Sequence, residues 1–309
     1  MDTAKLRTRL VEPVGLLASA SVSKSPHAQP EATRYGASLV KRGAKLSMHL
    51  GWFPDASDIS LEEAQAGLDA LVLRAAGFDL ERGAPLDGTP EPRDVLDVAC
   101  GLGGTLARLS ALTSASLVGV DFDEGQLETA RRAPWAQAGR ATFQRADACA
   151  LPFDDGSFDL VFSVEAAFHF RSRAAFFGEV ARVLRPGGRL VMTDILHATA
   201  TPGVTHVPPR DATVDDATAA LDACFGPWRD PLGLEGNVQD LAAAAGLRLT
   251  SATDLSAGTL RSGEHFVGRG TSFEWPPEPG LSEISRGVTA LTWLQARGHQ
   301  RVMLLTFQR

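Results

Sequence analysis

Cysteine is scarce. The 309 residues contain three, Cys100, Cys149 and Cys224, set far apart and forming no CxxC pair. That excludes a disulfide framework and a cysteine-built metal cluster, and it fits a reducing cytoplasm. The seven histidines fall into no HxxxH or HExxH spacing, so no metal is expected. Positive charge is in deficit: 30 Lys and Arg stand against 37 Asp and Glu, for a net charge of -7. Binding to nucleic acid through its phosphates needs a basic surface, so nucleic acid is not an expected partner. No apolar run reaches the roughly 18 residues a membrane span needs, so no membrane partner is expected either. Lys5, Arg7 and Arg9 precede "VEPVGLLASASVS" in the order of a signal peptide, but Glu12 and Pro13 interrupt the apolar core, and export is not expected. No internal repeat is present.

What is present is alternation. Residues 1–45 mix Ser, Ala, Pro and charge, which reads as an arm with a short helix near Ala32–Lys41. In the next segment, 46–94, Ser60 and Glu63 have capping-box spacing, and Leu61, Leu68, Leu71 and Val72 fall on one helix face. "GAPLDGTPEPRD" (Gly83–Asp94) is a linker. From Val95 to the end, 95–309, strand patterns alternate with helix patterns. The strand candidates are Val95–Ala99, Ser116–Val120, Ala141–Arg145, Leu160–Val164, Arg189–Asp194, Leu247–Thr253 and Arg301–Phe307. Helix candidates between them are Thr105–Leu112, Glu124–Ala133, Ser172–Leu184, Asn237–Ala245 and Leu281–Arg297. The alternation implies a doubly wound α/β fold with a mostly parallel sheet and helices on both faces. Between about 197 and 236 the pattern lapses into Pro, Thr, Asp and Gly, which reads as a lid insertion covering a substrate.

The stretch "VLDVACGLGGTLARL" (Val95–Leu109) places a glycine-rich turn between a buried strand and a helix, where backbone comes close to a ligand. A dinucleotide fingerprint beginning at Gly101 and Gly103 needs its third glycine at position 106, which is Leu106. "LVGVDFD" ends the next strand with Asp121, about twenty residues past the glycines, where an acid suits a ribose diol. A ligand carrying a ribose, without a pyrophosphate on the helix N-terminus, is the reading that follows. A nucleotide-dependent oxidoreductase is the competing class, and Leu106 disfavours it.

"DVACGLG", "VGVDFD", "ADACALPFDDGSFDLVFS" and "LRPGGRLVMTDI", in that order, resemble the seven-stranded class I S-adenosylmethionine-dependent methyltransferases from about Val95 to Leu196. The departure is Ala99, where many members have a glycine. The resemblance implies a seven-stranded sheet with the last strand antiparallel and S-adenosylmethionine as cofactor. It implies that Asp97, Ala99, Gly101 and Gly103 wrap the methionine part, that Asp121 holds the ribose hydroxyls and that Phe122 packs on adenine. Asp147 would accept from the adenine amino group with the Ala148 backbone beside it, and Ser163 would lie near the methionine end. Asp147 also begins a loop, where an Asx turn is the ordinary role.

On the acceptor side, "SVEAAFHFRSR" follows the fourth strand and carries Glu165 and His169. An imidazole of ordinary pKa, about 6.5, can take a proton from a hydroxyl, so His169 is a catalytic candidate; Glu165, the second, could orient His169, bind substrate or contact the cofactor. "SMHLGWF" (Ser47–Phe53) resembles the segment that folds over cofactor or substrate in methyltransferases of small metabolites, which makes His49 and Trp52 lid candidates. Its alternative is a hydrophobic staple for the Ser60 helix. Phe225, Trp228, Phe266, Phe273 and Trp275 are candidates for an apolar acceptor pocket. The expected function is methyl transfer to a small molecule, with a hydroxyl of a sugar, polyketide or aromatic natural product as acceptor. The alternatives are nitrogen or carbon acceptors, or a protein that keeps the cofactor pocket without transferring a methyl group.

Overall fold

The computed structural model describes residues 47–54, 58–225, 237–268 and 272–309. The expected arm, its helix near Ala32–Lys41 and Trp228 lie outside the described residues, as does the Phe225 side chain. Helix α1 (Leu61–Ala75) starts at the capping box read from the sequence: Ser60 Oγ accepts from the Glu63 N–H, and the Glu63 carboxylate accepts from the Ser60 N–H. A two-residue ribbon pairs Phe78–Asp79 with Ala84–Pro85, the second of these at the start of the linker read from the sequence.

Seven strands form one sheet: β1 (Asp94–Val98), β2 (Ser116–Asp121), β3 (Ala141–Arg145), β4 (Phe158–Val164), β5 (Leu184–His197), β6 (Arg248–Asp254) and β7 (Gln300–Gln308). Their order across the sheet is β3-β2-β1-β4-β5-β7-β6. The first five are parallel, and β7 runs antiparallel to both its neighbours. The chain winds outward from β1 to β3, then returns to lay β4 on the other side of β1. The carboxyl ends of β1 and β4 therefore flank the crevice where a doubly wound sheet binds its ligand. Two buried apolar clusters hold the layers, with Leu68, Leu106 and Leu117 in one and Phe176, Val180 and Leu190 in the other.

Helices α2 (Gly104–Leu109), α3 (Glu124–Arg132) and α4 (Arg173–Val183) are the crossovers of the parallel half. Asp123 caps α3 and Ser172 caps α4, each accepting a backbone N–H of the first turn. The region read as an irregular insertion contains a helix, α5 (Ala212–Phe225), which packs against a later one, α6 (Glu283–Ala296). Its buried positions Val214, Ala217 and Leu221 have helical spacing, and Asp211 caps it. The stripe is hard to read in sequence because one of its members is alanine and its neighbours are Thr and Asp. No helix of the described residues is long and apolar enough to cross a membrane.

Candidate active site

The loop after β1 turns through three residues in the left-handed region: Ala99 (φ 61°), Gly101 (φ 56°) and Gly103 (φ 79°). Alanine there costs about 1–2 kcal/mol that glycine would not. Asp121, at the end of β2, orders this loop. Its carboxylate accepts the Gly101 N–H at 2.9 Å on one oxygen and the Asp123 N–H at 2.9 Å on the other. A Cβ on Gly101 would come within 3.1 Å of Met48 Cε and 3.2 Å of Gln126 Oε1. Leu106, in the place of the third dinucleotide glycine, is fully buried in the core.

Carboxyl groups crowd this end of the sheet. Burial, aided by the charges of Asp69 and Asp121, pushes Asp97 up to about 8. Burial raises Asp121 to about 6 against the pull of the two backbone N–H groups it accepts. Such a pocket favours a cation and opposes a pyrophosphate. Ser163 Oγ, Gln126 Oε1 and Glu165 Oε1 are buried with no hydrogen-bond partner among the described residues. Orphaned polar atoms, a bare glycine backbone and surplus carboxyls fit S-adenosylmethionine, which brings an ammonium, a sulfonium and ribose hydroxyls. The Phe122 ring carries the Arg145 guanidinium 4.9 Å from its centroid. Asp147 forms an Asx turn, accepting the Cys149 N–H at 2.8 Å, and its other oxygen lies 3.5 Å from Arg171. Ala148 is half-buried beside it.

Past β4 the backbone is strained again. Glu165 has φ 48°, unusual for a residue with a side chain, and is held there by its N–H donating to Thr193 O (2.9 Å). Its Oε2 accepts the Leu50 N–H at 2.8 Å. Burial pushes the carboxyl up to about 7, with His49 and the Leu50 N–H pulling the other way. His169 ends a 3-10 turn with its ring tilted against Phe168, centroids 4.4 Å apart. The expectation of an ordinary imidazole fails there: burial, then the Arg173 cation, push His169 down to about 4. Arg173 is itself locked to Asp194 by a two-pronged ion pair of 2.7 and 3.1 Å, buried on both sides.

Residues 47–53 lie as a strap across the glycine loop. The Trp52 N–H donates to Ala64 O (2.8 Å), the Phe53 N–H to Gly258 O (2.9 Å) and the Gly51 N–H to Ser262 Oγ (2.9 Å). The Trp52 ring lies on the backbone at Gly258, where a Cβ would fall 2.1 Å from the ring. His49 Nδ1 is 2.7 Å from Leu50 O, and its Nε2 is 3.3 Å from Asp69.

A methyltransferase-domain sequence profile matches residues 96–192. The chain is 33% identical over 221 residues to the methyltransferase GfsG of Streptomyces halstedii, covering 70% of this chain and 71% of that one. It is 32% identical over 240 residues to the O-methyltransferase cnsE of Penicillium expansum, covering 77% and 78%. The chain belongs to the S-adenosylmethionine-dependent methyltransferase family. It is an enzyme that uses this cofactor to methylate a small molecule. A geranyl diphosphate C-methyltransferase from Streptomyces coelicolor, solved with S-adenosyl-L-homocysteine, superposes with a TM-score of 0.64 at 17% identity over 93% of this chain and all of that one. At that identity the likeness is one of fold.

The methyltransferase thus brings Glu165, His49 and Asp97 toward one crevice, with Asp121 behind the loop. Of the aromatic pocket candidates, Phe266 and Trp275 are core residues; the indole N–H of Trp275 donates to Asp216 at 3.0 Å. Phe273 packs where a Cβ on Gly263 would stand, at 2.9 Å. Sequence reasoning missed Asp69, Arg108 and the Arg173–Asp194 pair. A signal for Asp69 existed: it stands on the same face of α1 as Leu68 and Val72, where an unpaired charge is not tolerated.

Proposed function

We propose that this methyltransferase acts on a hydroxyl oxygen of a small natural product, with Glu165 as the group that takes the hydroxyl proton. One observation carries the reading: a buried carboxyl at a strained backbone position, its pKa pushed up to about 7 by burial, with Oε2 on the lid segment and Oε1 without a hydrogen-bond partner among the described residues. A general base works best when its pKa lies near the operating pH. His169, neutral at that pH, can donate from one ring nitrogen and accept at the other, which suits a group that orients the acceptor. The O-methyltransferase among the relatives supports oxygen.

S-adenosylmethionine, when bound, supplies an electrophilic methyl group on a sulfonium. We assign its methionine part to Asp97, Ala99, Gly101, Gly103 and Ser163. Asp121 keeps a lone pair on each oxygen beyond its two backbone bonds, which suits the ribose hydroxyls. Phe122, Asp147 and Ala148 are assigned to the adenine. His49 and Trp52, in the strap, exclude water from the reacting groups. We divide the chain into an arm (1–45), a lid segment (46–94) and a catalytic core (95–309) with an insertion at about 197–236. The three cysteines are free and buried, which supports action in the cytoplasm.

Incubation with S-adenosylmethionine and a panel of sugar, polyketide and aromatic hydroxyls, read by mass spectrometry, tests the reading. An oxygen-methylated product with matching S-adenosylhomocysteine is expected. Transfer to amines or carbon nucleophiles with none to any hydroxyl would overturn it.

A further inference from the structure

Asp69 sits in the middle of α1, outside the sheet, and is fully buried. Its carboxylate gathers groups from two other parts of the chain. From the strap, Ser47 Oγ donates to it at 3.2 Å and His49 Nε2 lies 3.3 Å away. From α2, the helix that begins at the glycine loop, Thr105 Oγ1 donates at 3.0 Å and Arg108 Nε at 2.8 Å. The contacts continue from His49. Its Nδ1 faces Leu50 O, and the Leu50 N–H is the one that binds Glu165. Met48, between these anchors, packs where a side chain on Gly101 would stand.

We infer that Asp69 is a positioning residue: it seats the strap on the glycine loop, through Ser47 and His49, and so sets the position of the Glu165 carboxyl. The inference rests on the reading of Glu165 as the acceptor-side base, but its geometry can be tested without any acceptor. A hydrophobic staple for α1 would need no buried carboxylate, no imidazole facing it and no hydroxyl from α2.

The chemistry of His49 supplies a signature. Nδ1 faces the Leu50 carbonyl and Nε2 stands at ion-pair distance from the Asp69 carboxylate, so the doubly protonated imidazolium is the state that suits both neighbours. The charged groups around the ring are Asp69 from α1, Glu165 beyond β4, Asp97 from β1 and, behind Asp69, Arg108 from α2. Burial, the largest single effect, would lower His49, but the Asp69 carboxylate, Glu165 and the Leu50 carbonyl together outweigh it, so the ring titrates above its ordinary value. Once the ring loses its charge, the ion pair with Asp69 is gone and the seat is weakened. The strap is therefore held firmly at lower pH and loosened as pH rises through the His49 titration.

Hydrogen exchange on the full chain, without ligand, tests this between about pH 6 and pH 9, with rates corrected for the intrinsic pH dependence. Protection of residues 47–53 in the parent is expected to fall by about ten-fold or more across the His49 titration. Asp69→Asn should lower protection in both 47–53 and 104–109. His49→Gln keeps the Asp69–Arg108 pair and so retains the fold if Asp69→Asn does not. It should lower protection in 47–53 alone and abolish the fall in protection with rising pH. Proton resonance of His49 should titrate above an ordinary imidazole in the parent. PH-independent protection of the parent strap, or His49→Gln with parental protection across the range, would overturn the inference. Calorimetry of the parent with S-adenosylmethionine, run alongside, reports separately on cofactor binding.

Discussion

Glu165 and Leu50 are joined by a 2.8 Å hydrogen bond between residues 115 positions apart. It connects the turn beyond β4 to the strap that crosses the glycine loop. One end is a carboxylate oxygen and the other a backbone N–H, so side-chain substitution in the strap does not remove the donor. The Glu165 carboxyl and the strap over the glycine loop are thereby parts of one structure, and a change in either is felt by the other.

Asp121 orders the glycine loop, and the ribose role proposed for it is open to its own test. Asp121→Asn keeps an oxygen for one backbone N–H but loses the charge. Cofactor affinity by calorimetry is expected to fall by about 1–3 kcal/mol through lost charge-assisted bonds to the ribose. The melting temperature should fall as well, since the Gly101 or Asp123 N–H loses its acceptor. Parental affinity in a folded variant would remove Asp121 from the cofactor site.

Asp97 should make the ligand-free protein less stable in alkali. Its folded pKa is about 8, and those of Glu165 and Asp121 are about 7 and about 6, whereas unfolded carboxyls ionise near pH 4. The folded state holds protons that the unfolded state has released, so this contribution is complete below about pH 4 and is lost as pH rises through 6 to 8. Asp69 has the opposite sign: its pKa is lowered, by His49 and Arg108 against the effect of burial, and its contribution disappears in strong acid. Asp97→Asn is expected to melt a few degrees above the parent at about pH 8, with little difference at about pH 5. The same variant should bind S-adenosylmethionine more weakly. Equal melting of the two proteins at the higher pH would show that Asp97 is not a buried neutral acid.

Gly258 is fixed by Trp52. Gly258→Ala would set a methyl about two ångströms from the indole, so the ring must move. A loss of about 1–3 kcal/mol is expected from overpacking, measured by denaturant unfolding. Faster exchange of the strap amides should accompany it. An alanine variant as stable as the parent would mean that Trp52 is not seated there.

His169 should matter less to proton transfer than its place beyond β4 suggests. With its pKa near 4, it is a weak base. His169→Gln retains a donor and an acceptor, so it should raise the KM of the acceptor more than it lowers kcat. A loss of kcat of about 10²-fold or more at saturation would return the base to His169.

The sheet was legible because its strands are apolar runs bounded by turn residues. Ala141–Arg145 reads directly, two strands are shifted by one residue from their patterns, and the other four are longer than theirs. Asp121 and the glycine loop were legible for a similar reason, since the spacing between them is local and chemically required. Helix α5 was obscured because its buried face is partly alanine. The pKa of His169 was not legible at all, since it depends on burial and on Arg173, which a one-dimensional pattern does not reveal. The strap is visible as an aromatic segment, but its anchor Asp69 is not, because pairing with His49 and Arg108 joins positions distant in the chain.

Transfer of a trideuterated methyl group from S-adenosylmethionine, followed in the parent and in Glu165→Gln with a saturating hydroxyl acceptor, bears most directly on the chemistry. Glutamine can still accept the Leu50 N–H but cannot take a proton. The parent rate should rise with pH through about 7, as Glu165 ionises. The variant should be slower by about 10²–10⁴-fold, without that rise, while binding the cofactor nearly as well. A variant that transfers the labelled methyl at the parental rate, with the parental pH profile, would contradict the assignment of Glu165 as the base.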